Sequence, residues 1–231
     1  MERSIKHTLL FVATTPYAVN AFLRPHLLSL SEDYHVIVFV NSSVYPLHPD
    51  ISKAVKIEHL EIFRKISLIQ DFFVLCRLVK SFWVIKPTLV HSITPKAGFL
   101  AMIAAWMTGV PLRFHTFTGQ IWANKKGLDR LFFKCIDFFI TIFTSQILAD
   151  SSSQIRFLER EKVVRKDSVV VLGPGSIAGV DLAKFRPNTD LRAKLRNERN
   201  LSQGRLVFLF VGRIVYDKGI SDLIDAFGFV N

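Results

Sequence analysis

The chain has 231 residues, half of them hydrophobic and 21% charged, which allows a sizeable core and excludes global disorder. Twenty-one Phe and a mean hydropathy of +0.31 direct attention to membrane spans. No run reaches the roughly 18 uninterrupted apolar residues that a span needs, because 99–110 is too short and 131–149 contains Lys134 and Asp137.

From the N-terminus, Met-Glu-Arg-Ser-Ile-Lys-His leads into a short apolar run ending at Ala13, which reads as a first buried strand better than as a signal peptide. Strand-length apolar runs follow at 34–41, 55–60, 88–91, 111–117, 146–149 and 168–172. Helix-length amphipathic runs lie between most of them, at 19–31, 68–85, 96–108, 127–143 and 152–163. The strand runs are continuously apolar, as parallel strands covered on both faces are. Alternating strand and helix then predicts a Rossmann-like, doubly wound α/β domain.

A polar stretch with Pro187 and six basic residues follows at 181–199, and it predicts a boundary carrying a short helix. The organisation expected is one domain over 1–186, a linker over 187–204, and a strand at 206–211 with a helix after Gly219. One strand and one helix cannot bury their own apolar faces, so this last piece reads as the truncated start of a second Rossmann-like domain.

In open α/β sheets, ligands sit beyond the carboxyl ends of the strands. Four loops qualify. Thr14-Thr15-Pro16-Tyr17 follows the first strand, with Asn20 and Arg24 on the next helix. In Ser92-Ile93-Thr94-Pro95-Lys96-Ala97-Gly98, Thr94 is a good N-cap and Pro95 a good first helical residue, so free amides beside Lys96 offer a phosphate site. A capped helix with a solvated lysine is the alternative. His115 stands near the end of the fifth strand run, before Thr116-Phe117-Thr118-Gly119-Gln120, as an acid, base or sugar ligand or as a structural histidine. The glycines of 173–179 miss the dinucleotide-binding spacing.

No metal-ligand spacing, phosphate-binding loop or nucleophile elbow occurs, and the expectation is that no metal or cofactor takes part. Cys76 and Cys135 form no disulfide framework, which predicts a reducing, cytoplasmic compartment. Thirty basic against nineteen acidic side chains leave +11, a balance that favours a polyanionic partner. No nucleic-acid reading element accompanies it, so phosphorylated substrates and an anionic bilayer rank above nucleic acid. Over 66–85, Phe72, Phe73, Phe82 and Trp83 stand among few polar residues, with Arg64-Lys65, Lys80 and Lys86 nearby. Such a helix suits burial on the sheet first and lipid docking second. Lys125-Lys126 with Arg130 and Lys134 make a second basic patch.

Three stretches together resemble one family. They are 91–98 with His115-Thr116-Phe117-Thr118-Gly119-Gln120-Ile121-Trp122; Gly179-Val180-Asp181 with Phe185 and Pro187; and Phe210-Val211-Gly212-Arg213 with Asp217-Lys218-Gly219. They are similar to the capsule and O-antigen branch of the family-four glycosyltransferases. The resemblance implies a GT-B fold of two Rossmann-like domains and retaining, metal-independent transfer from a nucleotide-sugar donor. The implied acceptor is a polyprenyl-diphosphate-linked sugar, handled peripherally at the inner membrane face. It matches Arg213 and Lys218 to the cations that hold the donor diphosphate, and His115 to a histidine near the reacting sugar. Thr15, Thr94, Lys96 and Gly119 are the acceptor and phosphate candidates.

The chain departs from the pattern in three places. Thr14-Thr15-Pro16 replaces a glycine-bearing loop, Pro174 stands where relatives have Asn, and paired glutamates seven residues apart would fall after Asn231. A binding-only remnant and a GT-B sugar-nucleotide epimerase are the competing readings.

Overall fold

The structure, a computed structural model, describes residues 7–43, 45–63 and 65–229; residues 1–6, Val44, Arg64, Val230 and Asn231 lie outside them. The chain divides into two compact units, Met1–Val180 and Asp181–Asn231.

The first unit runs β1 (Thr8–Ala13), α1 (Pro16–Ala18), a π-helical turn (Val19–Leu23), α2 (Arg24–Asp33), β2 (His35–Val40), α3 (Pro49–Ala54) and β3 (Lys56–His59). It continues through α4 (Leu68–Ile85), β4 (Leu89–Ser92), α5 (Pro95–Met107), β5 (Leu112–Phe117), α6 (Gly127–Phe143), β6 (Gln146–Ala149), α7 (Ser152–Arg160) and β7 (Val169–Val171). The seven strands form one sheet in the order β3-β2-β1-β4-β5-β6-β7, every neighbouring pair parallel. Strand order therefore reverses between β1 and β4, and the doubly wound α/β reading holds.

Period-two alternation splits each strand between two cores. Leu10, Val12, Ile37 and Phe39 pack with Val74, Leu78 and Phe82 of α4 and with α5. Leu9, Phe11, Val36 and Val38 pack with Leu23 and Leu27 on the opposite face. A third cluster joins Phe117 and Trp122 to Ile147 and Leu158. In α5, the small residues Ala97, Gly98, Ala101, Ala104 and Ala105 are all buried, and the helix sits between α4 and α6.

The second unit holds α8 (Thr189–Glu198), a 3-10 turn (Tyr216–Lys218) and α9 (Ile220–Gly228). Asn188 caps α8 by accepting from the Leu191 amide at 2.8 Å. The buried Arg196 guanidinium donates to the carbonyls of Gln203 and Arg205, which folds the chain back after that helix.

Two expectations need correction here. Residues 206–211 are not a strand, and Leu206, Val207, Phe208, Leu209 and Val211 stay exposed. A strand needs a neighbour for its ladder, and among the described residues of this unit none pairs with it. The unit boundary falls after Val180 and not at 186. The Asp181 carboxylate accepts from the amides of Ala183 and Lys184, so that segment turns upon itself within the second unit.

Candidate functional site

The switch point between β1 and β4 is where the following loops part and leave a crevice. Its floor is a threonine pair. The Thr14 amide donates to Thr94 Oγ1 at 3.0 Å, and the two hydroxyls lie 2.7 Å apart. Thr94 occupies the N-cap position of α5, with Pro95 behind it, but makes no side-chain cap bond. Its hydroxyl locks β1 to β4 instead, because the buried Thr14 would otherwise keep an unpaired amide. Thr15 does cap, accepting from the Ala18 amide at 3.4 Å. Gly119, exposed at the same edge, has φ of 132°, which a side chain would strain. Thr15, Thr94 and Gly119 are thus brought to one edge of one sheet.

Lys96 departs from its phosphate role. Its ammonium lies 2.6 Å from Asp71 Oδ1 and donates to the Lys65 carbonyl at 2.6 Å, tying α5 to the first turn of α4. The carboxylate arrives from a separate helix, and the pair is largely covered, so the lysine's charge is answered within the protein. Asn20 and Arg24 are likewise engaged. Asn20 bridges Pro46 and His48, and Arg24 donates to Asp50 at 2.8 Å.

His115, read from the sequence as an acid, base or sugar ligand or as a structural histidine, lies inside the sheet. It is 1% exposed, in register with Ser92, and its Nδ1 lies 2.8 Å from Ser92 Oγ. Phe117 meets the ring edge-on at a centroid distance of 4.7 Å. The first turns of α5 cover it so closely that a Cβ on Gly98 would stand 2.5 Å from His115 Cε1. Burial, followed by the charge of His91, pushes its pKa down to about 3. This ring is neutral at pH 7 and supports the edge from beneath.

Gly98→Ala tests that packing. Alanine favours a helix by ~1 kcal/mol over glycine, yet overpacking a fixed ring costs about 1–3 kcal/mol. We expect a net loss of roughly 1 kcal/mol in urea unfolding. A neutral or stabilising result would show that the ring swings freely.

The donor-side candidates lie in the second unit. Arg213 and Lys218 are both exposed, Lys218 closing the 3-10 turn before Gly219, whose φ is 70°. Among the described residues of this unit neither has an ion-pair partner, and no sheet holds them in place.

Sequence reasoning missed two features. Gln120 Nε2 is buried and unpartnered at the carboxyl edge, while its Oε1 accepts from Gln154 at 3.4 Å. Only the fold reveals that. A groove of about 810 Å³ also runs along the sheet face opposite α5, lined by Leu9, Phe11, His91, Phe114, Leu148 and Val170. His91 Nε2 lies 2.8 Å from Thr116 Oγ1 there, and burial pushes its pKa down to about 4. Among the described residues no group of His, Cys, Asp or Glu is arranged to hold a metal ion.

No family model matches the chain. It is 33% identical over 165 residues to the capsular polysaccharide biosynthesis glycosyltransferase CapM of Staphylococcus aureus, a match covering 71% of this chain and 43% of CapM. It is 31% identical over 155 residues to the UDP-Gal:alpha-D-GlcNAc-diphosphoundecaprenol alpha-1,3-galactosyltransferase of Escherichia coli, covering 65% of this chain and 38% of that protein. The chain thus spans less than half the length of these curated relatives. Anabaena HepE, solved in complex with UDP, superposes with a TM-score of 0.66 at 17% identity, over 95% of this chain and 57% of that one. At that identity the likeness shows the fold. By sequence and by fold, the chain groups with the GT-B glycosyltransferases of the capsule and polysaccharide branch.

Proposed function

We propose that the protein transfers a sugar from a nucleotide-sugar donor to a sugar carried on a polyprenyl diphosphate, working peripherally at the inner membrane face. The observation that carries this reading is the crevice at the β1–β4 switch point, in a chain whose curated relatives act in capsule and diphosphoundecaprenol-linked glycosylation. HepE was solved with UDP, which supports a nucleotide-sugar donor. Among the described residues no helix is long and apolar enough to cross a membrane.

In this reading the acceptor lies along the edge formed by Thr15, Thr94 and Gly119, where the Gln120 amide has a free donor. His115 is a positioning residue, holding Ser92 beneath α5. The anomeric carbon of the donor loses its bond to the diphosphate and gains one to the acceptor hydroxyl, whose proton departs. The new bond forms on the face that the diphosphate leaves, so configuration is retained. Arg213 and Lys218 offset the charge growing on that diphosphate, with no metal invoked.

A second reading, binding without turnover, is favoured by the exposure of those two cations. A screened, mobile cation is a weak stabiliser, and positioning supplies much of the rate of a transfer. Residues 1–231 alone are therefore expected to bind diphosphate-lipid-linked GlcNAc while turning over no nucleotide sugar. Ligand-observed NMR with a detergent-solubilised acceptor, and incubation with a panel of labelled nucleotide sugars, check both halves. Absent acceptor binding, or isomerised free sugar nucleotide, would overturn the transferase reading. Transfer at enzymatic rates would instead show a complete donor site within these residues.

A further inference from the structure

The layer α4–α5–α6 carries an outward face that the fold leaves bare. On α4, Val74, Leu78 and Phe82 are buried, while Ile69, Phe72, Phe73, Trp83 and Val84 are each more than 60% exposed. On α6, Asp137 and Ile140 are buried, while Leu128, Leu131, Phe132, Phe138, Phe139 and Ile142 are exposed at helical spacing. Both helices pack on α5, whose Trp106 is exposed between them at its far end. Seven aromatic side chains on this layer expose 44–66% of their surface. At about 200 Å² each, they present roughly 800 Å², above the largest apolar patch of an ordinary monomer.

Charge selects what covers it. Arg77 and Lys80 are exposed on α4, Lys86 follows that helix and Lys126 precedes α6, and none of the four has an ion-pair partner among the described residues. The acidic groups of these helices are otherwise occupied. Asp71 holds Lys96, Asp129 lies 3.6 Å from Lys125, and Asp137 is buried. The basic patch expected around Lys125, Arg130 and Lys134 is itself largely neutralised, since Arg130 and Lys134 share Glu161 at 2.8 and 2.9 Å. Protein interfaces are depleted in lysine, whereas aromatic side chains fringed by free cations fit a headgroup layer.

We propose that the outer face of α4, α5 and α6 lies flat on a bilayer rich in anionic lipid. This deepens the membrane part of the proposed function and rests on it. The first turns of α4, α5 and α6 all follow loops at the carboxyl edge of the sheet. A face lying flat therefore sets the crevice at headgroup depth, opening along the membrane plane toward a lipid-borne diphosphate.

The two cysteines of the chain are built-in probes, because Cys76 on α4 and Cys135 on α6 are both free and exposed among these apolar side chains. Each is labelled with a nitroxide in turn, the other being replaced by serine, in the full 231-residue chain. Vesicles of phosphatidylglycerol and phosphatidylethanolamine are compared with phosphatidylcholine alone, with no sugar acceptor present. Binding to the anionic vesicles should transfer both labels from nickel-accessible to oxygen-accessible surroundings. Arg77→Gln with Lys80→Gln should weaken that binding roughly thirty-fold at low salt, each cation near the surface being worth about 1 kcal/mol. No binding overturns the proposal. Binding with both labels still in water overturns the choice of face. Labels shielded without vesicles, at doubled mass, overturn it in favour of self-association. Loss of acceptor binding in the NMR experiment leaves all of these outcomes readable.

Discussion

Trp122→Ala should cost about 4 kcal/mol of stability and loosen the rim of the crevice with it. Trp122 is fully buried in the loop between β5 and α6, two residues after Gln120. Its ring stacks on Phe157 of α7 at a centroid distance of 5.2 Å, and the Arg130 guanidinium lies 5.1 Å from its centroid. Its Nε1 donates to Asp137 Oδ2 at 2.7 Å. Truncation leaves a cavity between α6 and α7 and strips a buried carboxyl of its donor, and both effects destabilise. Trp122→Phe keeps most of the volume and loses only the hydrogen bond, so about 1–3 kcal/mol is expected there. Hydrogen exchange should localise the damage, with amides of 118–126 opening first. Equal losses in the two variants would show that packing counts for little at this site.

Much of the sheet is legible in the sequence, because parallel strands covered on both faces leave uninterrupted apolar runs whose partners need not be known. The spans predicted at 68–85 and 127–143 coincide with α4 and α6, whose long amphipathic periods mark them without help from a side-chain cap at either N-terminus. Helix α3 escaped notice, since six residues behind Pro49 show no apolar period. The strand predicted at 206–211 fails for the opposite reason. Its apolar content is local, but a ladder requires a neighbour that only topology supplies. The site divides in the same way. That the loops of β1, β4 and β5 meet at one edge follows from the fold class. The commitments of individual side chains do not. Lys96 meets Asp71, Thr94 meets Thr14, and His115 lies under Gly98, through contacts between elements that pattern and spacing cannot place. The same holds outside the crevice, where the sequence favoured burial of the aromatic α4 and the structure divides its aromatic residues between two faces.

Stability should peak near pH 7 and fall by about 3 kcal/mol by pH 4 through opposed buried titrations. His91 and His115 are held neutral by burial, and each by a neighbouring histidine, with pKa values pushed down to about 4 and about 3. The unfolded chain protonates both from about pH 6.5 downward, so it binds more protons than the folded state, and each histidine draws stability away as pH falls. Asp137 acts with the reverse sign. Burial pushes its pKa up to about 7, against the hydrogen bond from Trp122, so the folded state keeps a proton that the unfolded chain releases from about pH 4 upward. Its contribution is lost as pH rises toward 7.

Between pH 6.5 and 4, two histidines oppose one aspartate, leaving a net slope of one proton, about 1.4 kcal/mol per pH unit. Asp50 and Glu161, held low first by their hydrogen bonds from Arg24 and Lys134, add to the acid loss only weakly at the exposed surface. Urea unfolding at half-unit pH intervals measures the curve. Asp137→Asn should remove the offset, making the acid limb about twice as steep and raising stability at pH 8. His115→Gln should flatten the acid limb while leaving the pH 8 value nearly in place. An acid limb unchanged by either substitution would mean that these groups titrate in the folded state as they do in water, and that the core around β4 and β5 admits solvent.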